Sequence, residues 1–376
     1  MLACAYYGQV RNMTKTYILR TAAALLAAVL LYPATADAIS AQKAILMDGL
    51  TGRILYELRP CEKSLIASTT KIMTALLVCE NCNVLDQVVI PKEAVGVEGS
   101  SMYLREGERV SVQELLYGLM LSSGNDAATA LALYYSGSIE AFASEMNAKA
   151  VFLGLTGTHF TNPHGLDEDS HYSTARDLAL LASYAMKNPI FAQTVGTKSI
   201  LLGDRYLTNH NKLLWQLEGS EGVKTGYTKA AGRILVSSAK RQGRRLICVT
   251  IDDGDDWADH KALYDQGFAD YTPSLLVQPG QIMGTLPVFG GEKDAVEVLA
   301  AEDFAFALAP GEQVSFCLSS KEFIYAPAVA GADAGFAYIC VDGVPVGKIP
   351  VVFAETVEQS NEKNKSFWEK LFGGKP

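Results

Sequence analysis

Histidine is scarce in this chain of 376 residues, with five in all. None stands in a His-Glu-x-x-His or comparable ligand spacing, which argues against a zinc peptidase. There is no Gly-x-Ser-x-Gly elbow, so a Ser-His-Asp hydrolase lacks its usual nucleophile turn. His164 and His210 read as structural or rim residues, with His210 the better placed to line a cleft. Basic residues are the minority, 32 Lys and Arg against 41 Asp and Glu for a net charge of -9. A chain of that sign has no electrostatic attraction for nucleic acid. The pair Cys79-Glu80-Asn81-Cys82 has no partner pair at zinc-knuckle spacing and no thioredoxin-like surroundings. No metal and no cofactor is therefore expected.

Against these absences stand three short motifs in order: Ser68-Thr69-Thr70-Lys71, Ser123-Gly124-Asn125 and Lys224-Thr225-Gly226. A Ser-x-x-Lys alone occurs by chance roughly once or twice in a chain of this length. A second copy, Ser237-Ser238-Ala239-Lys240, reads as noise on a solvated strand end. The ordered set of three carries the weight. A serine hydroxyl is a weak nucleophile until a neighbouring base takes its proton, and a lysine serves if its surroundings keep it neutral. Three residues apart on a helix, Ser68 and Lys71 share a face. The apolar stretch Ile72–Val78 that follows predicts a buried helix, and burial lowers the pKa of Lys71. Ser123-Gly124-Asn125 interrupts two helical patterns, Leu115–Leu121 and Asp126–Leu133, and so sets short polar side chains at a cleft wall. Lys224-Thr225-Gly226 reads as a strand edge able to take an extended peptide as one more strand. Gly226 removes a side chain where that peptide approaches.

Together the three motifs resemble the active site of the penicillin-recognising serine acyl-transferases, the family of bacterial DD-peptidases and serine β-lactamases. Asn162-Pro163-His164-Gly165-Leu166-Asp167, Tyr172–Leu178 and Thr208-Asn209-His210-Asn211 resemble segments of its low-molecular-mass D-Ala-D-Ala carboxypeptidases, across roughly residues 40 to 270. The resemblance implies that Ser123 relays a proton between Lys71 and the leaving amine, and that Asn125 binds the backbone amide of the substrate. It further implies that Lys224 and Thr225 take the terminal carboxylate, and that the N–H groups of Ser68 and Tyr227 form the oxyanion hole. A class A β-lactamase deacylates through a glutamate, in that class within a Glu-x-x-Leu-Asn segment, and residues 126 to 223 hold none. A long-lived penicillin adduct is the expected outcome.

Residues 1–38 read as a secretory signal: Arg11, Lys15 and Arg20, then the apolar run Thr21–Leu31, then Ala36-Asp37-Ala38 as a cleavage site. That run is too short to span a membrane, and Met13 is an alternative start. Residues 39–270 alternate helical and strand patterns and open with a hairpin, Ala44–Met47, a turn at Asp48-Gly49, then Arg53–Tyr56. Residues 271–354 turn to short alternating runs, with a hairpin turn at Asp342-Gly343. The expected fold is an α/β (α+β) β-lactamase/DD-peptidase-like catalytic domain, its antiparallel sheet flanked by helices, followed by a small β-sandwich. Residues 355–376 read as a polar linker and a tail in which Phe367, Trp368, Leu371 and Phe372 gather on one side of a helix, the pattern of a weak membrane-surface anchor. Cys79 and Cys82 form either a local disulfide or two free thiols, and Cys317 and Cys340 stand where they can pair across strands.

The reading is a penicillin-sensitive, exported D-Ala-D-Ala carboxypeptidase acting on peptidoglycan stem peptides, with β-lactams as inhibitors. The alternatives are a DD-endopeptidase, a β-lactamase, or a module that holds peptidoglycan without turnover.

Overall fold

The computed structural model describes residues 39–319 and 323–360; the expected export signal and the apolar tail lie outside the described residues. The chain opens with the hairpin expected from its sequence, β1 (Lys43–Asp48) against β2 (Ile54–Leu58). At the turn, the Asp48 carboxylate accepts from the N–H groups of Leu50 and Thr51. A 3-10 turn (Ala67–Thr70) then runs directly into α1 (Lys71–Asn81). Every residue of α1 from Lys71 to Cys79 is buried. It is therefore a central helix walled on all sides, which is why its polar residues must find partners inside the protein.

Around α1 lie the ribbon β3 (Gln87–Val89) and β4 (Arg109–Ser111) and four helices. These are α2 (Val112–Met120), α3 (Asn125–Ser136), α4 (Ile139–Phe152) and α5 (Ala175–Ala185). Ser111 and Glu114 close a capping box at the start of α2. Next come α6 (Pro189–Gly196), the ribbon β5 (Ser199–Leu202) and β6 (Arg205–Thr208), and the single turn α7 (Leu213–Gln216). Three long strands follow, β7 (Ser220–Thr228), β8 (Gly232–Arg241) and β9 (Arg244–Ile251), then α8 (Asp256–Asp270). The sheet order is β2-β1-β9-β8-β7 with every neighbour antiparallel. Ile234–Ala239 and Leu246–Ile251 are buried without interruption, so both faces of the sheet are covered. The N-terminal hairpin joins the far side of β9, and β7 is left at the edge.

Beyond α8 the chain is all strand: β10 (Thr272–Val277), β11 (Ile282–Phe289), β12 (Ala295–Ala300), β13 (Phe304–Leu308), β14 (Val314–Ser319), β15 (Ile324–Tyr325), β16 (Asp333–Val341) and β17 (Val344–Phe353). Six of these form one sheet, β14-β16-β17-β12-β11-β15, and β10 pairs with β13. Val298, Ile339, Ile349 and Val351 centre a second apolar core. Asp342 and Gly343 both have positive φ, 49° and 79°, the backbone of a type I′ turn that matches the twist of its strands. Residues 355–360, expected in a polar linker, instead bridge back to the strands through Ala328–Val357 and Gly291–Gln359. Arg53 joins the two regions: it pairs with Glu312, donates to the Ala307 carbonyl, and lies 4.7 Å from the Tyr271 ring centre.

Two expectations need correction. Ser237 and Ser238 are fully buried in mid-strand and not on a solvated end. Ser237 contacts His260 Nδ1 (2.7 Å) and the Tyr264 hydroxyl (2.8 Å). In a strand, residues three apart face opposite ways, so Ser237 and Lys240 cannot meet. Nor do Cys317 and Cys340 pair, because the register sets Cys340 opposite Ser315 and Cys317 opposite Tyr338. Cys79 and Cys82 are free thiols, and burial pushes the Cys79 thiol up to about 12.

Buried histidines make the fold acid-sensitive. Burial depresses His260 to about 3 and His171 to about 4, from an ordinary 6.5. The unfolded chain binds their protons from pH 6.5 downward while the folded protein does not, so their contribution is complete above that pH and is lost on acidification. By pH 5 the loss is roughly 2 kcal/mol per histidine. The urea midpoint is expected to fall steeply between pH 6.5 and 4.5, and less steeply in a His171→Gln/His260→Gln variant. A midpoint constant over that range contradicts this.

Candidate active site

The site is assembled where α1, the α2–α3 connection and the edge strand β7 converge. Ser68 lies in the 3-10 turn and Lys71 is the first residue of α1. Lys71 has no solvent exposure. Its Nζ is 2.8 Å from Ser68 Oγ, 2.7 Å from Asn125 Oδ1 and 2.7 Å from the His164 carbonyl oxygen. Burial, reinforced by the nearby Lys224 charge and opposed by Asp126, drives its pKa well below the ordinary lysine range. Once neutral, the amine keeps two N–H bonds, to Asn125 and His164, and turns its lone pair to the Ser68 hydroxyl. That arrangement of acceptors is the geometry a general base requires, with one lone pair facing one proton.

The segment 162–165 holds this geometry from behind. Thr74 donates to the Pro163 carbonyl (2.6 Å), and the Gly165 N–H donates to Asn162 Oδ1 (2.7 Å). Gly165 has φ +88°, and a Cβ there would stand 1.8 Å from the Ala67 carbonyl oxygen. Only glycine lets the two turns touch. The Thr161 N–H donates to His171 Nδ1 (3.1 Å), so Nε2 carries the hydrogen and donates to Thr70 Oγ1 (2.7 Å). Thus the His171 ring bridges Thr161 and Thr70, and His164 meets Lys71 through its carbonyl.

Ser123 sits in the α2–α3 connection with φ 58°, a left-handed backbone held by its surroundings, and it lines the same cavity as Ser68. Asn125 opens α3, is 4% exposed, and donates through Nδ2 to the Glu98 carbonyl while accepting from Lys71. Both ends of its amide are engaged inside the protein, tying Lys71 to the 98–100 loop. Asp126 behind it accepts from Ser101 Oγ and from the N–H groups of Met102 and Leu104.

Lys224 lies beneath the cavity floor. It is 1% exposed, donates to the Thr225 carbonyl (3.0 Å), and burial lowers its pKa to about 7. Thr225, Gly226 and Tyr227 do line the cavity, and Tyr227 is 66% exposed. Gly226 also packs closely on its other side: a Cβ there would come within 3.3 Å of the Ala67 Cβ, the Ile66 carbonyl and the Thr69 methyl. The glycine lets β7 press against the Ser68 turn. His210 lines the cavity too, and its N–H donates to the Leu121 carbonyl (3.2 Å).

Ser68, Ser123, His210 and Thr225–Tyr227 thus share one open cavity of about 510 Å³ with Ser100, Lys212, Arg233, Asp256 and Trp257. The last three carry no motif. Arg233 follows Gly232 at the start of β8, opposite Tyr227 in the register. Its side chain is 44% exposed and pairs with the buried Asp256. Only the sheet register brings Arg233 to the cavity, and no local sequence signal reports it.

The chain is similar to known proteins over most of its length. Residues 32–255 match the model of the D-alanyl-D-alanine carboxypeptidase family, and residues 271–359 match the penicillin-binding protein 5 C-terminal domain. D-alanyl-D-alanine carboxypeptidase DacF of Bacillus subtilis is 33% identical over 336 residues, covering 85% of this chain and 86% of that protein. DacC of Escherichia coli is 33% identical over 344 residues, covering 86% of each. The crystal structure of penicillin binding protein 5 from Haemophilus influenzae superimposes with a TM-score of 0.75 at 30% identity, covering 85% of this chain and 98% of that one. A Streptomyces K15 DD-transpeptidase mutant gives a TM-score of 0.59 at 35% identity over 61% of this chain and 98% of its own.

Proposed function

The chain belongs to the D-alanyl-D-alanine carboxypeptidase family, and on that premise we propose that Ser68 is the nucleophile, Lys71 its base and Ser123 the proton relay. The protein is a serine-type D-Ala-D-Ala carboxypeptidase, a hydrolase that acts on peptidoglycan peptides and binds β-lactams. The observation that carries the assignment of roles is the fully buried Lys71 Nζ, 2.8 Å from Ser68 Oγ. Ser68 Oγ attacks the carbonyl of the D-Ala-D-Ala bond as its proton passes to Lys71. The N–H groups of Ser68 and Tyr227 receive the oxyanion, whose stabilisation is usually the largest single contribution. Ser123 hands the proton to the departing D-alanine amine, and water then releases the acyl group from Ser68.

The substrate lies along β7 as an added strand. Its terminal carboxylate falls to Arg233, the exposed guanidinium of the cavity, with Thr225, while the buried Lys224 contributes charge from beneath. Arg233→Leu is expected to raise KM for diacetyl-L-Lys-D-Ala-D-Ala about tenfold with kcat nearly unchanged, and Arg233→Lys to fall between. An unchanged KM removes Arg233 from the binding site. The test of the activity itself is D-alanine release from that peptide: release without cleavage of a cross-linked dimer supports the carboxypeptidase over an endopeptidase.

The proposed setting is extracytoplasmic. Residues 1–38 act as an export signal, and the apolar residues of 366–372 give the domain a weak hold on the membrane surface. Support comes from sequence pattern alone, and cell fractionation of a tagged chain checks it.

A further inference from the structure

Three aromatic rings stand together at one end of the C-terminal strand region, exposed among the described residues. Phe289 closes β11 and lies opposite Tyr325 of β15, the parallel edge strand of the six-stranded sheet. The rings of Phe289 and Phe323 are 5.0 Å apart, those of Phe323 and Tyr325 5.5 Å, and those of Phe289 and Tyr325 6.3 Å. Phe323 meets both other rings edge to face, yet Phe289 is 54%, Phe323 40% and Tyr325 71% exposed. A contiguous exposed aromatic patch of this kind marks a contact surface.

The course of the chain says what lies against it. Gln359 bridges to Gly291, and the Ser360 N–H donates to the Gly290 carbonyl (2.9 Å). The described chain therefore ends one residue from Phe289. The apolar side chains Phe367, Trp368, Leu371 and Phe372 begin seven residues later in the sequence. Even fully extended, seven residues reach only about 25 Å, so whatever surface the tail meets is brought close to the patch. The adjacent turn exposes Glu292, Lys293 and Asp294, with Lys293 paired to Glu355, so it carries no surplus positive charge to draw the patch toward anionic headgroups.

We propose that Phe289, Phe323 and Tyr325 form a second membrane-surface element, seating the C-terminal domain itself on the bilayer interface into which the tail inserts. Tyrosine favours that interface, and phenylalanine serves on the apolar face of interfacial elements. Attachment through two weak elements is stable where either alone is marginal. The inference rests on the extracytoplasmic, tail-attached placement proposed above.

The test uses the chain freed of residues 1–38, since the compact unit begins at Ala41, with phosphatidylethanolamine vesicles containing a minority of phosphatidylglycerol. Co-sedimentation is measured for the wild type, Phe289→Ser/Tyr325→Ser, a truncation after Ser360, and the combination. The patch variant is expected to bind about tenfold more weakly at low and high salt alike, with D-alanine release from a soluble peptide unchanged. The truncated chain is expected to keep residual binding that vanishes in the combination. If truncation has no effect while the patch variant loses binding, the tail reading fails and the patch stands. Wild-type binding by the patch variant overturns the proposal. So does tighter binding, which would mean that the patch sequesters the tail, or a dimer that dissociates when the patch is mutated, which would mean a second copy docks there.

Discussion

Ser68→Ala is expected to lower D-alanine release by on the order of ten-thousandfold or more, the loss typical of deleting a serine nucleophile whose base and oxyanion donors remain. The fold should hardly notice. Ser68 is only half-buried, and its hydroxyl answers one of three bonds from Lys71 Nζ, the other two going to Asn125 and His164. The loss of that single bond costs about 1 kcal/mol. A variant that is folded, still binds the peptide and is silent in turnover separates nucleophilic chemistry from binding. Residual activity within tenfold of wild type would place the nucleophile elsewhere.

Lys71→Met is expected to cost on the order of a thousandfold in both D-alanine release and penicillin acylation. Methionine fills much of the buried volume but accepts no proton, and Asn125 Oδ1 and the His164 carbonyl lose their donor. The pH profile gives the sharper test. Lys71 must be neutral to accept the proton, so kcat/KM falls as pH drops through its depressed pKa. The Lys224 charge helps hold that pKa down, since a like charge disfavours the ammonium. Lys224→Met therefore moves the acid limb of kcat/KM to higher pH, in addition to weakening the substrate site. An acid limb that stays in place would mean that another group is the base.

The chemistry of this site was legible because its reacting residues come in short runs. Ser68 and Lys71 are one helical turn apart, and Ser123 and Asn125 flank one glycine, so each run reports its own geometry. The opening hairpin and the Asp342-Gly343 turn were legible for the same reason, being decided by a few neighbouring residues. What escaped is set by long-range packing. Arg233 reaches the cavity through the β7–β8 register, and the His164 backbone reaches Lys71 because Gly165 lies against Ala67. Gly226 lines the cavity and also lies against the Ser68 turn, a second constraint that its motif does not report. Ser237 was expected on a solvated strand end, but His260 and Tyr264, distant in sequence, supply the partners that allow its burial.

The most direct test of a Ser68 acyl-enzyme formed by Lys71 is peptide mass mapping of the protein after brief exposure to benzylpenicillin. The account predicts a penicilloyl mass on the peptide containing Ser68 that persists for many minutes and is missing from Ser68→Ala. An adduct on another residue, or a wild-type protein that carries none while leaving the penicillin intact, would contradict it.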